Sequence, residues 1–193
     1  MNEAITALVL AGGRGRRMGG IDKGWAIYRQ RPLIEWVLSR LSGQVEHILI
    51  NANRSRAAYE ALGWPVVGDR SGGYQGPLMG IWSGLCAAET PWVLVVPCDT
   101  PCLPQDLVER LRASLGAHDH DIAVAHDGER SQPVVALMRR SLAADLERAL
   151  AAGERKVERW YARHACLSVD FSDCPEAFAN INSPHDADSL SVS

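Results

Sequence analysis

The sequence has 193 residues, 47% hydrophobic and 22% charged, which fits one globular domain and excludes a disordered, collagen-like or coiled-coil chain. Lys and Arg total 20 against 23 Asp and Glu, and a net charge of −3 argues against nucleic acid as the main partner. The basic residues are 18 Arg and only two Lys, Lys23 and Lys156, so a site that needs a lysine has two candidates.

Residues 6–10 (TALVL) form a short β-branched run that opens into Ala11-Gly12-Gly13, which predicts a buried strand ending in a glycine loop. Apolar residues at 33, 34, 37, 38 and 41 predict a helix behind Pro32. Residues 47–50 (HILI) predict a second strand, leading into Asn51-Ala52-Asn53. A helix over 56–62 stops at Gly63, and a third strand over 65–67 ends at Gly68-Asp69. A helix over 78–88 follows the Gly76-Pro77 turn. Residues 92–96 (WVLVV) are the most hydrophobic strand and end at Pro97-Cys98-Asp99. A helix over 104–115 has Pro104 in its first turn. Further strands are expected at 122–125, 134–138 and 168–171, and further helices at 142–150 and 157–162.

Strands alternating with helices imply βαβ units, and the unbroken apolar runs imply a sheet covered on both faces. The expected architecture is α/β: one three-layer αβα sandwich over residues 1–193 with a mostly parallel, Rossmann-like sheet. The Ser-rich end, 189–193, is expected to fray. Residues 1–10 lack a basic stretch ahead of an apolar one, so no secretory signal is expected, and no run approaches the roughly 18 apolar residues of a membrane span. The cysteines at 86, 98, 102, 166 and 174 are odd in number and scattered, which is no disulfide framework. Cys98-x3-Cys102 lacks a second pair or a neighbouring His, so zinc is not expected. The reading is a cytoplasmic protein with reduced thiols.

In open α/β sheets ligands bind beyond the carboxyl ends of the strands. Gly12-Gly13, Asn51, Asp69 and Asp99 all stand at such ends, so one crevice is expected to collect them. The segment 10–23 (LAGGRGRRMGGIDK) is the richest. Glycines let backbone N–H groups face an anion, and Arg14, Arg16, Arg17, Asp22 and Lys23 sum to +3. This suits a triphosphate, although the spacing is neither a Walker A loop nor a dinucleotide fingerprint. A plain basic surface loop is the competing reading. Asp99, in PCDTP at 97–101, can hold Mg²⁺ against phosphate oxygens or can simply cap a turn; the glycine-arginine loop favours the metal. Asn51 and Asp69 can accept the N1–H and N2–H donors of guanine, or serve as turn residues. GPLMG at 76–80 is a tight turn beside the site or plain punctuation. HDGER at 126–130 and GERK at 153–156 can bind an anionic second substrate, and a solvated turn is the competing reading for each. No close His pair except His118-x-His120 and no Gly-x-Ser-x-Gly elbow is present, so neither His catalysis nor a hydrolase nucleophile is indicated. Five Trp fall in or beside predicted elements and read as core; Trp25, just past the loop, is the exception.

These residues resemble the molybdenum cofactor guanylyltransferases, within the wider nucleotide-sugar-type nucleotidyltransferases. LAGG-x-x-x-R-M-G-G-x-D-K at 10–23 carries the resemblance. It continues through NAN at 51–53, Asp69, GPL-x-G at 76–80, PCDTP at 97–101, HDGER at 126–130, GER at 153–155 and NINSP at 180–184. The resemblance implies that GTP and Mg²⁺ bind at the carboxyl edge of the sheet. The terminal phosphate of molybdopterin, or of its molybdenum-loaded form, then attacks the α-phosphate of GTP. Pyrophosphate leaves and the guanine dinucleotide cofactor forms. By the same resemblance Leu10, Ala11, Gly12 and Gly13 contact GTP, Lys23 contacts its phosphates, Asn51 and Asp69 contact guanosine, and Asp99 contacts both GTP and Mg²⁺. Lys23, Asp99 and Arg17 are the catalytic residues it implies. Arg155, Lys156, Asn180 and Asn182 belong to the molybdopterin side, so the N-terminal part binds GTP and the C-terminal part binds molybdopterin. Partners implied are the two substrates, molybdenum-insertion proteins and molybdoenzyme chaperones, with no nucleic acid and no membrane. A monomer or weak oligomer is expected. The rivals are a molybdopterin cytidylyltransferase or sugar-1-phosphate nucleotidyltransferase of the same fold, and a noncatalytic GTP-binding cofactor carrier.

Overall fold

Between residues 33 and 126 helices and strands alternate along the chain as the apolar runs predict. The computed structural model describes residues 3–12, 22–71, 76–116 and 120–181. Gly13, Arg14, Arg16, Arg17, His118, Asn182, the SP of the late motif and the tail 189–193 lie outside the described residues.

The chain begins with β1 (Ile5–Leu10), followed by a small hairpin, β2 (Ile27–Tyr28) and β3 (Arg31–Pro32), and helix α1 (Leu33–Leu41). Then come β4 (His47–Asn51), α2 (Arg56–Glu60), β5 (Val66–Val67), α3 (Pro77–Ala87) and β6 (Trp92–Pro97). The second half holds α4 (Leu107–Gly116), β7 (Ile122–His126), β8 (Ser131–Arg139), α5 (Ala143–Ala151), α6 (Val157–Tyr161) and β9 (Cys166–Asp170). Among the described residues the main sheet has seven strands, in the order β5-β4-β1-β6-β8-β7-β9. All its pairings are parallel except those of β8, which runs against both β6 and β7.

Side chains alternate across the strands and so build a core on each face. Ala7, Val9, Leu94 and Val96 face α1, α2 and α4, whose Ile34, Val37, Leu41, Tyr59, Leu107 and Leu111 are buried with them. Leu8, Val93 and Val95 face α3, α5 and α6, with Leu78, Ile81, Leu85, Leu146 and Trp160. Burying one such leucine stabilises the fold by about 1.5–3 kcal/mol. Helix α3 lies close on the sheet, because a Cβ on Gly84 would overlap the Leu8 side chain.

Register places the site. Leu10 pairs with Asn51 of β4 on one side and Pro97 of β6 on the other, and Asn51 pairs with Val67 of β5. Four carboxyl ends therefore finish level. The chain leaves β1 toward β4 and β5, then crosses back to β6, so β1 and β6 flank a topological switch point.

Several local features differ from the sequence reading, among them a hairpin, one helix start and one strand. The hairpin turn uses Arg29 and Gln30, with φ of 46° and 64°, where two-residue hairpins ordinarily use Asn or Gly. Its tip carries no turn signal, so the sequence does not announce it. Helix α4 starts at Leu107 rather than at Pro104. The Gln44 side chain donates to the Pro104 carbonyl at 2.9 Å and accepts from the Val108 N–H at 3.0 Å, capping the helix from across the fold. Strand β9 runs from Cys166 to Asp170, two residues ahead of expectation at its start and one at its end. Phe171 beyond it is fully buried against Phe178.

Candidate active site

Beyond the level strand ends lies a cavity of about 180 Å³, bounded by Leu10, Gly12, Lys23, Asn51, Asp69, Gly76, Pro77, Gly80, Asp99 and their neighbours. The one crevice expected from the sequence is thus present. Its two ends differ in chemistry.

At one end stand amides and a carboxylate. Asn51 closes β4 and is 2% exposed, so its amide needs partners. Its Nδ2 donates to Asp69 Oδ1 at 3.1 Å and to the Val67 carbonyl at 3.3 Å. Asn53 donates from Nδ2 to Asp69 Oδ2 at 2.8 Å, and its Oδ1 accepts from the Asp69 N–H at 2.8 Å. Gly80, in the first turns of α3, makes room for this arrangement. A Cβ there would lie 2.5 Å from Asn51 Oδ1 and 3.0 Å from Leu10 Cδ2.

At the other end a cation and a carboxylate meet. Lys23 opens a single 3₁₀ turn, Lys23–Trp25, capped by Asp22. Asp22 accepts from Gly24 N–H at 3.4 Å and from the Tyr59 hydroxyl at 2.7 Å. Burial first, then the hydrogen bond to Asp22, pushes the Tyr59 phenol far up, so it stays a donor. Lys23 Nζ in turn donates to Asp99 Oδ2, which follows the buried strand β6. Asp99 is 5% exposed, and its carbonyl accepts from Ile181 N–H at 3.0 Å. Beside it the Thr100 hydroxyl donates to Asn180 Oδ1 at 3.4 Å, so the late Asn180-Ile181 segment is tied to the Asp99 turn. Burial pushes the neighbouring Cys98 thiol far up, with the Asp99 carboxylate adding to it. It remains neutral and is no nucleophile. Among the described residues no group of three His, Cys, Asp or Glu could cage a metal.

The 153–156 turn abuts the crevice wall. The Arg155 carbonyl lies 3.6 Å from where a Cβ on Gly76 would stand. Glu154 organises this turn, accepting from Arg155 N–H at 2.9 Å, Lys156 N–H at 3.0 Å and Arg163 Nη2 at 3.0 Å. The Lys156 and Arg155 N–H bonds hold its carboxyl below the usual range. Both Arg155 and Lys156 are exposed, and the Arg155 guanidinium donates to the Leu150 and Glu154 carbonyls.

Of the residues singled out from sequence, Leu10, Gly12, Lys23, Asn51, Asp69 and Asp99 come together in the crevice. Ala11 does not line it: its side chain is in the core and its N–H donates to the Asn51 carbonyl at 2.8 Å. Arg155, Lys156 and Asn180 flank rather than line it. HDGER closes the β7–β8 turn, with Asp127 accepting from Glu129 N–H, Arg130 N–H and Gln132 Nε2. These bonds, that from Arg130 first, hold Asp127 below the usual range, and the segment does not reach the cavity. Trp25 packs on the Tyr59 ring at 5.2 Å and is a support for the Lys23 turn. Sequence reasoning missed Tyr59. A tyrosine in the apolar stripe of a predicted helix was its one signal, since a buried hydroxyl seeks a partner.

Residues 7–167 match the family model described as the MobA-like NTP transferase domain. A molybdenum cofactor guanylyltransferase of Shewanella loihica is 47% identical over 191 residues, 99% of this chain and 97% of the relative. The chain belongs to the molybdenum cofactor guanylyltransferase family. A second member, from Shewanella halifaxensis, is 46% identical over 98% of this chain and 95% of its own length. Among solved structures, the molybdopterin-guanine dinucleotide biosynthesis protein A of Archaeoglobus fulgidus superposes with a TM-score of 0.78 at 25% identity, covering 95% of each chain. The 4-diphosphocytidyl-2C-methyl-D-erythritol synthase of Anaerococcus prevotii has a TM-score of 0.75 at 14% identity, covering 97% of this chain and 94% of that one, and so shares the fold. The expected α/β nucleotidyltransferase fold is therefore borne out, as is the family reading. Among the described residues no helix is long and apolar enough to cross a membrane.

Proposed function

We propose that this guanylyltransferase moves GMP from GTP to the terminal phosphate of molybdopterin, or of its molybdenum-loaded form, and releases pyrophosphate. The observation that carries this is the polarity of one crevice. The Asp69 carboxylate with its two amide partners stands at one end, and the Lys23–Asp99 pair at the other. A guanine base at the first end directs its triphosphate toward the second. Leu10 and Gly12 form the β1 end against the nucleotide, Lys23 and Gly13 contact it, and Arg17 adds charge to its phosphates.

The transfer needs little from the protein beyond placement and charge neutralisation. An oxygen of the pterin phosphate forms a bond to the α-phosphorus, and the bond from that phosphorus to the leaving pyrophosphate breaks. The nucleophile is already ionised, so no general base is required. The neutral Cys98 and Tyr59 accord with that. The site also fits Mg²⁺. Asp99 supplies one hard oxygen donor, and Mg²⁺ commonly takes one or two carboxylates and completes its shell with water and phosphate. When bound there, Mg²⁺ neutralises the phosphate oxygens.

On this reading the N-terminal part holds GTP, and Arg155, Lys156, Asn180 and Asn182 serve molybdopterin. The protein works in the cytoplasm, where its five cysteines stay reduced, as a monomer or weak oligomer. Molybdenum-insertion proteins and molybdoenzyme chaperones are its neighbours in the pathway. The test is pyrophosphate release on mixing the protein with Mg²⁺, molybdopterin and each of GTP, CTP, ATP and UTP. Release with GTP far above the others supports the reading. Faster release with CTP or UTP, or GTP binding without release, overturns it.

A further inference from the structure

We propose that Asn53 is a positioning residue for base selection: it fixes the Asp69 carboxylate so that the two lone pairs left over accept the paired N–H donors of guanine. The inference rests on the guanine-nucleotide reading above and assigns it a mechanism.

Asp69 lies just beyond β5, a strand of two residues, where a carboxylate would ordinarily turn between rotamers. Here it is held from two sides. Asn51 donates to Oδ1, and Asn51 is itself buried between the β1 end and α3. Asn53 does more. Its amide donates to Oδ2 while its carbonyl oxygen accepts from the Asp69 N–H, each at 2.8 Å, so one side chain holds both the backbone and the carboxylate of Asp69. That two-bond ring leaves Asp69 little freedom about its side-chain torsions.

The consequence for a ligand follows from counting acceptor sites. A carboxylate offers about four lone-pair positions. One amide on each oxygen uses two, leaving one per oxygen on a group that lines the crevice. Two acceptors side by side match two donors side by side. Guanine carries such a pair in N1–H and N2–H. Adenine and cytosine set an acceptor nitrogen beside their amino donor, which an oriented carboxylate repels. Hypoxanthine keeps N1–H and lacks the 2-amino group. A freely turning carboxylate would make the same contacts but would also turn away from a wrong base, so orientation is what converts a contact into discrimination.

Two substitutions separate the roles of Asn53. Asn53→Asp keeps the size and the oxygen that accepts from Asp69 N–H, and replaces the donor to Oδ2 with a repelling carboxylate. Asn53→Ala removes both bonds. Wild-type and variant proteins are compared for kcat/KM with GTP, ITP and ATP, using pyrophosphate release with molybdopterin and Mg²⁺, and thermal midpoints without nucleotide confirm that each is folded. The wild type favours GTP over ITP and ATP. In both variants the GTP value falls by about tenfold or more, the scale of one two-bond base contact, while ITP and ATP change less, so both ratios shrink. Unchanged GTP-to-ITP and GTP-to-ATP ratios in Asn53→Asp overturn the proposal and leave the guanylyl reading standing. A wild type with no preference for GTP overturns the guanylyl reading, and this inference with it.

Discussion

The two sides of the crevice are built differently. On the side we assign to the nucleotide the polar groups are bonded to one another. Asn51 and Asp99 are nearly inaccessible, and Asp69, Asp22 and Lys23 each have partners fixed by the fold. On the side of the 153–156 turn, Arg155 and Lys156 are exposed, and the order lies beneath them, in Glu154 and its bonds to two backbone N–H groups and Arg163. A preorganised site discriminates and stabilises charge without rearranging, whereas exposed cations on a firm turn attract an anion and hold it loosely. The contrast suits a small nucleotide on one side and a bulkier phosphorylated substrate on the other.

The contrast is breakable, and the largest effect is expected at its densest point. Asp99→Ala should lower turnover by about three orders of magnitude or more while the protein stays folded, because the Lys23 it leaves behind is partly solvent-exposed. Normal Mg²⁺-dependent turnover in that variant removes Asp99 from the metal. Lys23→Ala should lower kcat by about a hundredfold to a thousandfold, the scale of losing one preorganised charge partner. A rate unchanged at saturating GTP takes Lys23 out of the site. Gly80→Ala sharpens the comparison without touching a charge. The added Cβ presses on Asn51 Oδ1 and Leu10, which should cost about 1–3 kcal/mol of stability, read from denaturant unfolding, and raise the KM for GTP. Wild-type stability and KM together would show that the Asn51 end is looser than described. The smallest effects belong to the exposed side. Arg155→Ala and Lys156→Ala should each raise the KM for molybdopterin about fivefold, roughly 1 kcal/mol for an exposed charge contact, and leave the KM for GTP unchanged. An equal rise in both KM values would mean that the turn serves the whole crevice rather than its pterin side.

Much of this was legible in the residues. The stripe at 33, 34, 37, 38 and 41 is α1, and all five positions are buried. The apolar runs at 6–10, 47–50 and 92–96 are strands, and Leu10, Asn51 and Pro97 finish level. With only two lysines in the chain, Lys23 was conspicuous, and it sits against Asp99. Two of the features that escaped the sequence share one cause. The Gln44 cap on α4 spans 64 residues and the Tyr59 bond to Asp22 spans 37, and neither pair has a local spacing to betray it. The hairpin at Arg29 and Gln30 escaped for a local reason, a left-handed turn made without the residues that favour it.

By itself the sequence determined the alternation of strand and helix, and it put glycine, amide and carboxylate residues at the strand ends, because hydrophobic period and turn chemistry act between neighbours in the chain. Only the tertiary structure decided which of those end residues hold one another. Asn53 became the clamp on Asp69, Tyr59 the support of Asp22, and Asp127 a turn residue outside the crevice. The physical reason is that a hydrogen bond needs its partners about 3 Å apart, and that distance is set by strand register and by helices packing on the sheet.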